Sequence, residues 1–395
     1  MSLHYQFPVI TNISDVLPYI QGKPEFIVVD KGEYTVINYA FQTSDTFPPV
    51  TDTASAILRE CRGLIFNTAT GELLSRAFHK FFNIGERQDT TVIDVTRPHR
   101  FETKLDGSMV RPLFLRDGIR WATKMGVTNV SMQAEVFVAS RPYYGQLAQF
   151  CCERNWTPIF EWLSRENQIV LDYGREDQLV LLAVRDNIEG GYIPRSIVAD
   201  LAIKWGIPIV DKVERSDTSS FDDYVAALKA QEDIEGIVVI FTDGHRVKVK
   251  TDWYVQMHRA KDRISSERHV IALVLNDELD DLLPMLPEDD RKRVQRFADA
   301  VQYDLTFFSE AVFTVLYRVR QQGWDRKCFA LHSETFYPLP VRAACFRLFE
   351  ESLDNVKAKA REWGRNYVLK NIGSKSALAK AHEVLQTVRW KETVE

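Results

Sequence analysis

The chain has 395 residues, 45% of them hydrophobic and 27% charged, with a formal net charge of −5. This length allows two or three domains with a buried core. We find no apolar run of about 18 residues that would cross a membrane, and the first residues lack a signal peptide pattern. Five cysteines without CxxC spacing argue against a disulfide framework and a zinc site. We therefore expect a cytoplasmic protein without membrane contact, in which any nucleic-acid site is a local groove.

Short apolar runs broken by turns dominate residues 25 to 255. Two of these runs flank Asp117-Gly118, an arrangement that predicts a β-hairpin. Stretches at 130–141 and 194–205 have helical character and lie between the strands. We predict an α+β domain over residues 1–254.

The pattern changes beyond residue 260, where glycine becomes rare. Apolar residues recur every three or four positions from Val294 to Val319, which predicts one face of a long helix. We predict an all-helical C-terminal domain over residues 255–395. Its segment from Lys357 to Lys380 is basic and aromatic, which suits RNA phosphates and bases. A solvated helix face is the alternative.

One motif places a lysine beside an acid and a glycine: Lys104-Leu-Asp-Gly107. A lysine that is deprotonated is a nucleophile, and neighbouring cations and partial burial favour that state. Glycine allows the backbone to approach a ligand closely. An Asp-Gly turn after a strand is also a common structural device, so this motif alone is weak evidence for catalysis.

Three further motifs follow in order. Glu161 lies between two aromatic residues, and Glu235 precedes a strongly apolar strand. In Arg246-Val-Lys-Val-Lys250 the cations alternate with valines, so that they share one face of a strand. Such a row of cations suits a triphosphate, although an edge strand protected by lysines gives the same pattern.

Taken together, the four motifs resemble those of the covalent nucleotidyltransferase superfamily of DNA ligases, RNA ligases and mRNA capping enzymes. The segments around Arg62 and Lys80 are similar to those of the phage RNA ligase 1 family of T-even type. The resemblance implies a nucleotidyltransferase domain with antiparallel sheets of ligase type, similar to ATP-grasp folds. It also implies a helical C-terminal domain that contributes to recognition of broken tRNA.

The resemblance further assigns roles around ATP. Arg62, Lys80 and Lys124 would contact its phosphates, Tyr39 would lie near the triphosphate, and Phe82 would pack near the adenosine. Arginine also suits phosphate because its guanidinium donates two parallel hydrogen bonds.

The remaining expected roles concern the reaction itself. Lys104 would be the nucleophile, and Asp106 would orient the site and help to deprotonate or position it. Lys248 and Lys250 would act on the α-phosphate. The other expected ligand contacts are Glu102 with the adenine amino group, Gly107 with the nucleotide through its backbone, Glu161 with the ribose hydroxyls, and Glu235 with Mg²⁺, for which Mn²⁺ is an alternative.

The function implied is an ATP-dependent RNA ligase that joins 5′-phosphate and 3′-hydroxyl ends through lysyl-AMP and RNA-adenylate intermediates. Its expected partners are broken tRNA and a polynucleotide kinase-phosphatase, and its location is the host cytoplasm if a phage encodes it. An mRNA capping guanylyltransferase and a DNA ligase are alternatives, but both are typically followed by a β-rich OB-fold. A non-catalytic RNA-binding relative is the third alternative.

Overall fold

A computed structural model describes residues 6–215 and 220–390, and only the backbone of residues 334–336 and 375. The chain divides between Val255 and Gln256 into two compact units. Within the described ranges, no helix is both long and apolar enough to span a membrane.

The N-terminal unit contains thirteen strands in its described residues. They are β1 (Phe26–Asp30), β2 (Tyr34–Tyr39), β3 (Leu64–Asn67), β4 (Leu73–Ser75), β5 (Phe82–Asn83), β6 (His99–Thr103), β7 (Ser108–Leu115), β8 (Gly118–Ala122), β9 (Trp156–Leu163), β10 (Gln178–Asp186), β11 (Lys212–Val213), β12 (Gly236–Phe241) and β13 (Arg246–Lys250).

These strands form three sheets, with the orders β1-β2-β3-β4, β10-β9-β7-β8 and β11-β6-β12-β13-β5. Pairing is antiparallel except between β13 and β5. The predicted hairpin joins β7 to β8, and Gly118 adopts a φ of 121° at the turn, where residues with a Cβ are disfavoured.

In the described residues of this unit six helices accompany the sheets, and a seventh starts at its end. They are α1 (Leu17–Ile20), α2 (Thr53–Glu60), α3 (Asn129–Ala139), α4 (Pro142–Cys152), α5 (Arg195–Trp205), α6 (Phe221–Lys229) and α7 (Asp252–Arg263), with 3₁₀ turns at Ile13–Asp15 and Gln88–Thr90. The helical stretches predicted at 130–141 and 194–205 correspond to α3 and α5.

On one face of the third sheet, side chains from β6, β12 and β13 form rows across the strands. Glu102 on β6 lies opposite Val238 on β12, which in turn pairs with Lys248 on β13. The opposite face of β13 is apolar, because Val247 and Val249 are buried in the core under this sheet. The predicted alternation of cations and valines therefore sets which side chains face the site.

A fully buried charge network joins distant segments of the N-terminal unit. Glu60 at the end of α2 contacts Arg76 at 3.1 Å and Arg185 on β10 at 2.6 Å. All three side chains have no exposed surface, and both guanidiniums hold the pKa of Glu60 below its usual value despite burial. Removing one partner of such a network leaves an uncompensated buried charge.

The described residues of the C-terminal unit are helical and contain no strand. After α7 come α8 (Glu267–Leu275), α9 (Leu279–Leu282), α10 (Glu288–Gln321), α11 (Arg326–Phe336), α12 (Leu339–Arg347), α13 (Leu353–Lys370) and α14 (Lys375–Ala381), with a 3₁₀ turn at Leu283–Met285. The periodicity from Val294 to Val319 lies on α10, whose apolar face forms the core of this unit. The predicted α+β class with antiparallel sheets and a helical C-terminal region is confirmed.

We predict that Glu60→Gln lowers the free energy of unfolding by about 3–5 kcal/mol, because two buried guanidiniums lose their counter-charge. Denaturant titration measures this change. The matched control is Glu153→Gln, which removes a 3.9 Å ion pair between exposed side chains and should cost less than about 1 kcal/mol. Equal losses for the two variants would show that the network contributes no more than a surface pair.

Candidate active site

Lys104 lies directly after β6, where the chain turns away from the sheet. Its backbone N–H donates to the carbonyl of Gly236 at 3.0 Å, which fixes the main chain beside β12. Its Nζ lies 2.8 Å from Oε1 of Glu235, and the side chain is 21% exposed. The amine is thus held at the cavity but stays accessible to a substrate.

Glu235 connects this lysine to β13. The same Oε1 atom also lies 3.0 Å from Nζ of Lys250, and Glu235 is 2% exposed. Its second oxygen, Oε2, is buried and has no hydrogen-bond partner in the described part of the chain. One carboxylate oxygen therefore binds two lysines, and the other is available for a further cation.

Asp106 holds the turn after Lys104. Its carboxylate accepts hydrogen bonds from the backbone N–H groups of Val170 and Leu171 at 2.7 and 2.8 Å and from the hydroxyl of Tyr254 at 2.5 Å. Its own N–H donates to Tyr173. From the sequence, Asp106 is expected to orient the site and to help to deprotonate or position Lys104. Because its carboxylate is engaged by these groups, Asp106 fixes the backbone around Lys104, and the acid paired with the amine is Glu235.

Gly107 is held against β9. A Cβ at this position would lie 2.4 Å from the carbonyl oxygen of Trp162, so no larger residue fits without a backbone shift. Its N–H donates to Oε1 of Glu161 at 3.1 Å. Burial raises the pKa of Glu161 to about 7, against the opposing effect of nearby Lys104.

Lys248 faces the cavity from the middle of β13. Burial lowers its pKa well below the usual value, and the positive charges of Arg62, Lys104 and Lys80 act in the same direction. Arg62 and Lys104 line the same cavity. Such mutual repulsion is relieved when a polyanion binds between the cations.

The amines of Lys80 and Lys124 both lie near the ring of Tyr39. The Nζ of Lys80 lies 3.4 Å from the Tyr39 hydroxyl and 4.8 Å from the ring centroid, and that of Lys124 lies 5.1 Å from the same centroid. Burial and the charge of Arg62 lower the pKa of Lys80 to about 8. Three predicted site residues therefore meet, and Lys80 is electrostatically coupled to Arg62, which lines the cavity.

Phe82 occupies a different place from the one expected. It is 1% exposed and packs in the core of the first sheet, whereas the preceding Phe81 lines the cavity together with Phe78. Successive side chains of a strand point to opposite faces. The aromatic side chains that line the cavity here are therefore Phe78 and Phe81, and the position of Phe82 does not support its expected contact with the adenosine.

Glu102 lines the cavity, but its Oε1 also pairs with Arg100 at 2.8 Å and with Arg195 at 3.1 Å. Sequence reasoning missed Arg195, Tyr173 and Tyr254. Their roles depend on contacts between distant segments, and nothing in the local sequence indicates them. In the described ranges no cluster of three or more His, Cys, Asp or Glu side chains is placed to hold a metal ion.

Comparison with known proteins adds to this geometry. The model of the family described as "RNA ligase" matches residues 60–254. A "Putative RNA ligase" of Thermovibrio ammonificans is 27% identical over 78% of this chain and 82% of its own. "RNA ligase 1" of bacteriophage TS2126 is 26% identical over 80% of each chain. A "Putative bifunctional polynucleotide kinase/RNA ligase" of Autographa californica nuclear polyhedrosis virus is 24% identical over 87% of this chain, which spans half of that protein.

The structure brings together a lysine after β6, an acid on β9, an acid just before β12 and cations on β13, which is the arrangement expected from the resemblance to covalent nucleotidyltransferases. The resemblance to the phage RNA ligase 1 family is confirmed by the matches.

The pKa of Glu161 generates a prediction about stability. Its folded-state pKa of about 7 exceeds the ordinary value of 4.5, so its contribution to stability is full below about pH 4.5 and is lost as pH rises through about 7. Glu161→Gln removes that loss and keeps an acceptor for Gly107. We expect the variant to be more stable than the parent by up to about 3 kcal/mol at about pH 8, with little difference near pH 4.5. Denaturant titrations at both pH values measure this.

The control is Glu176→Gln, at an exposed position, which should show no such dependence. A Glu161→Gln variant that is equally destabilised at both pH values would contradict the assignment.

Proposed function

We propose that this chain is an ATP-dependent RNA ligase that joins 5′-phosphate and 3′-hydroxyl ends through lysyl-AMP and RNA-adenylate intermediates. The observation that carries the proposal is the placement of the Lys104 amine on a buried acid, beside a cavity lined by cations. The names of the relatives support RNA as the substrate.

In the first step, the unprotonated Nζ of Lys104 attacks the α-phosphorus of ATP. A nitrogen–phosphorus bond forms, and the bond from the α-phosphorus to the bridging oxygen breaks. Pyrophosphate leaves with the electron pair, and the nitrogen releases one proton to solvent. Glu235 holds the amine beside Lys250 before ATP arrives. Lys248 and Arg62 face the same cavity and stabilise the charge that develops on the phosphate oxygens.

The second step transfers AMP from Lys104 to an oxygen of an RNA 5′-phosphate. The nitrogen–phosphorus bond breaks, and a 5′-5′ pyrophosphate linkage forms. In the third step a 3′-hydroxyl oxygen attacks the RNA phosphorus of that linkage, AMP leaves, and the hydroxyl proton passes to solvent. Both transfers place negative charge beside the same cations, so one site serves all three steps.

A divalent metal ion fits beside Glu235. Its Oε2 atom is buried without a hydrogen-bond partner among the described residues, and carboxylate oxygens are the ligands that Mg²⁺ and Mn²⁺ accept. When bound, the metal supplies charge neutralisation at the substrate phosphates. Its positive charge would compete with the Lys104 amine for Glu235.

The alternatives differ in nucleotide and in architecture. A capping guanylyltransferase would form lysyl-GMP from GTP, and a DNA ligase would seal DNA ends. Both are expected to carry a β-rich OB-fold after the catalytic domain, whereas the described residues after Val255 are helical. A non-catalytic relative would form no covalent adduct with any nucleotide.

We assign the C-terminal unit to RNA specificity, with broken tRNA as the substrate. Part of the basic segment is engaged within the unit itself: Lys357 pairs with Glu310 at 2.7 Å, and Arg365 donates to the carbonyl of Leu275 at 2.6 Å. Tyr303 and Phe307 on α10 are 62% and 56% exposed and offer rings on which bases can stack. A polynucleotide kinase-phosphatase, which prepares such ends, is the proposed functional partner, and the kinase named in the viral relative supports it.

We predict that Lys104→Ala abolishes covalent labelling by ATP labelled at the α-phosphate, because no other amine replaces the nucleophile. Denaturing gels measure the label. Lys31→Ala, at an exposed turn position, is the control and should label normally. Label that persists on the Lys104→Ala protein would contradict the mechanism, and label from GTP in place of ATP would favour the capping alternative.

We predict that Lys248→Ala and Lys250→Ala each slow lysyl-AMP formation about a hundredfold or more, because a cation acting on the transition-state phosphate is lost. Single-turnover labelling rates measure the effect, and circular dichroism checks the fold. Normal rates in both variants would mean that β13 is only a charged strand.

The RNA specificity proposed for the helical unit predicts how a chain without that unit will ligate RNA. A chain ending at Arg263 keeps α7 and the hydrogen bond from Tyr254 to Asp106. If it remains folded, it should form lysyl-AMP but lose its preference for a nicked tRNA anticodon loop over a generic single strand. Competition between the two RNAs in ligation assays measures the preference. A preference that survives the truncation would place the specificity in the N-terminal unit.

A further inference from the structure

Arg246 is a buried cation that the proposed steps do not use. It starts β13, is 3% exposed, and lines the same cavity as Lys104 and Lys248. Its Nε has no hydrogen-bond partner within the described residues, and no described ion pair joins its guanidinium to a carboxylate. A buried donor of this kind is costly unless a ligand accepts its hydrogen bonds.

Two aromatic rings flank the guanidinium of Arg246, whereas Lys248 and Lys250 each lie over one ring. Its guanidinium carbon lies 4.0 Å from the ring centroid of Tyr192 and 4.9 Å from that of Phe78. The cavity is also lined by Leu182, Val210 and Val238. Apolar and aromatic walls suit the flat faces of a heterocyclic base, and they do not suit a polyphosphate.

The register of the sheet separates Arg246 from the phosphate end of the cavity. Gly236 pairs with Lys250, and Ile240 pairs with Arg246. Arg246 is four residues from Lys250 along β13, which corresponds to about 13 Å. Because Lys104 lies beside Gly236, the α-phosphate belongs at that end. The base of the same nucleotide then extends toward Arg246.

Glu102 supplies the complementary group. It lines the cavity. Glu102 pairs with Val238, whereas Arg246 pairs with Ile240. Glu102 and Arg246 are therefore offset by two residues along the strands. A carboxylate accepts hydrogen bonds, whereas a guanidinium only donates them. An exocyclic amino group can donate to the carboxylate while a neighbouring ring nitrogen accepts from the guanidinium. Adenine offers this pair of groups twice, as N6 with N1 and as N6 with N7.

We propose that Arg246 is a specificity-determining residue that donates a hydrogen bond to N1 or N7 of the adenine while Glu102 accepts from N6. The inference rests on the proposed function, because it requires ATP as the nucleotide. It assigns the apolar end of the cavity to the base and the lysine-rich end to the phosphates.

Analogues of ATP test this on the unaltered protein, so that folding of a variant is not at issue. The apparent KM for lysyl-AMP formation is measured with ATP and with its 1-deaza, 7-deaza and 3-deaza analogues. Loss of a hydrogen bond to a charged donor weakens binding about tenfold to a hundredfold. We expect a loss of this size with the 1-deaza or the 7-deaza analogue and none with the 3-deaza analogue, because N3 lies away from N6.

The variant Arg246→Met removes the donor and keeps an apolar side chain of similar length. We expect its KM for ATP to rise about tenfold to a hundredfold with little change in the maximal labelling rate, and its discrimination between ATP and the sensitive analogue to disappear. Arg120→Met, which removes an ion pair to Glu135 between partly exposed side chains, is the matched control and should behave as the parent.

Several outcomes would overturn the inference. One is a parent protein that uses all three analogues as well as ATP. Another is a folded Arg246→Met protein that keeps both its KM and its discrimination. A fall in the maximal rate with discrimination intact would move Arg246 to the phosphates. Each of these is distinct from failure of the proposed function, in which the parent protein forms no adduct with ATP itself.

Discussion

A single carboxylate oxygen organises the catalytic centre. Oε1 of Glu235 lies within 3.0 Å of the amines of both Lys104 and Lys250, and so joins the end of β6 to the end of β13. The backbone supports the same arrangement: Lys104 donates to the carbonyl of Gly236, and Thr251 donates to that of Glu235. Because the proposed nucleophile and a proposed phosphate-binding cation share one acid, any ligand that engages that acid would affect both.

Buried positive charges in this site lower the stability of the folded chain. Lys248 and Lys80 both have lowered pKa values because they are buried near other cations, and Arg246 is buried in the same cavity without a carboxylate partner. In the absence of a polyanion these groups oppose folding. A polyanion bound between these cations would relieve their mutual repulsion.

Much of the site could be predicted from the sequence, because its chemistry lies in short motifs. The alternation around Lys248 sets a face of β13, and Lys104 and Glu235 each lie at the end of a strand. The contact between Asp106 and Tyr254 could not be predicted, since the two residues are 148 positions apart and tyrosine has no periodic signal of its own. The pairing of Glu235 with Lys104 was also missed, because these two residues are far apart in the sequence.

Two other expectations depend on local packing that the sequence does not show. The contact assigned to Phe82 depended on which way a two-residue strand faces, and only its neighbours in the sheet determine that. The RNA contact expected of the basic segment from Lys357 to Lys380 stays a prediction, because composition does not show whether acids or carbonyls on other helices already bind its charges. Lys357 and Arg365 both find such partners within the helical unit.

The most direct measurement is peptide mapping by mass spectrometry after the full chain is incubated with ATP and Mg²⁺. If Glu235 presents the nucleophile as described, the mass of one AMP is found on the peptide that contains Lys104, and adding RNA with a 5′-phosphate removes it. AMP attached to a different lysine, or an adduct at Lys104 that RNA does not discharge, would contradict the account.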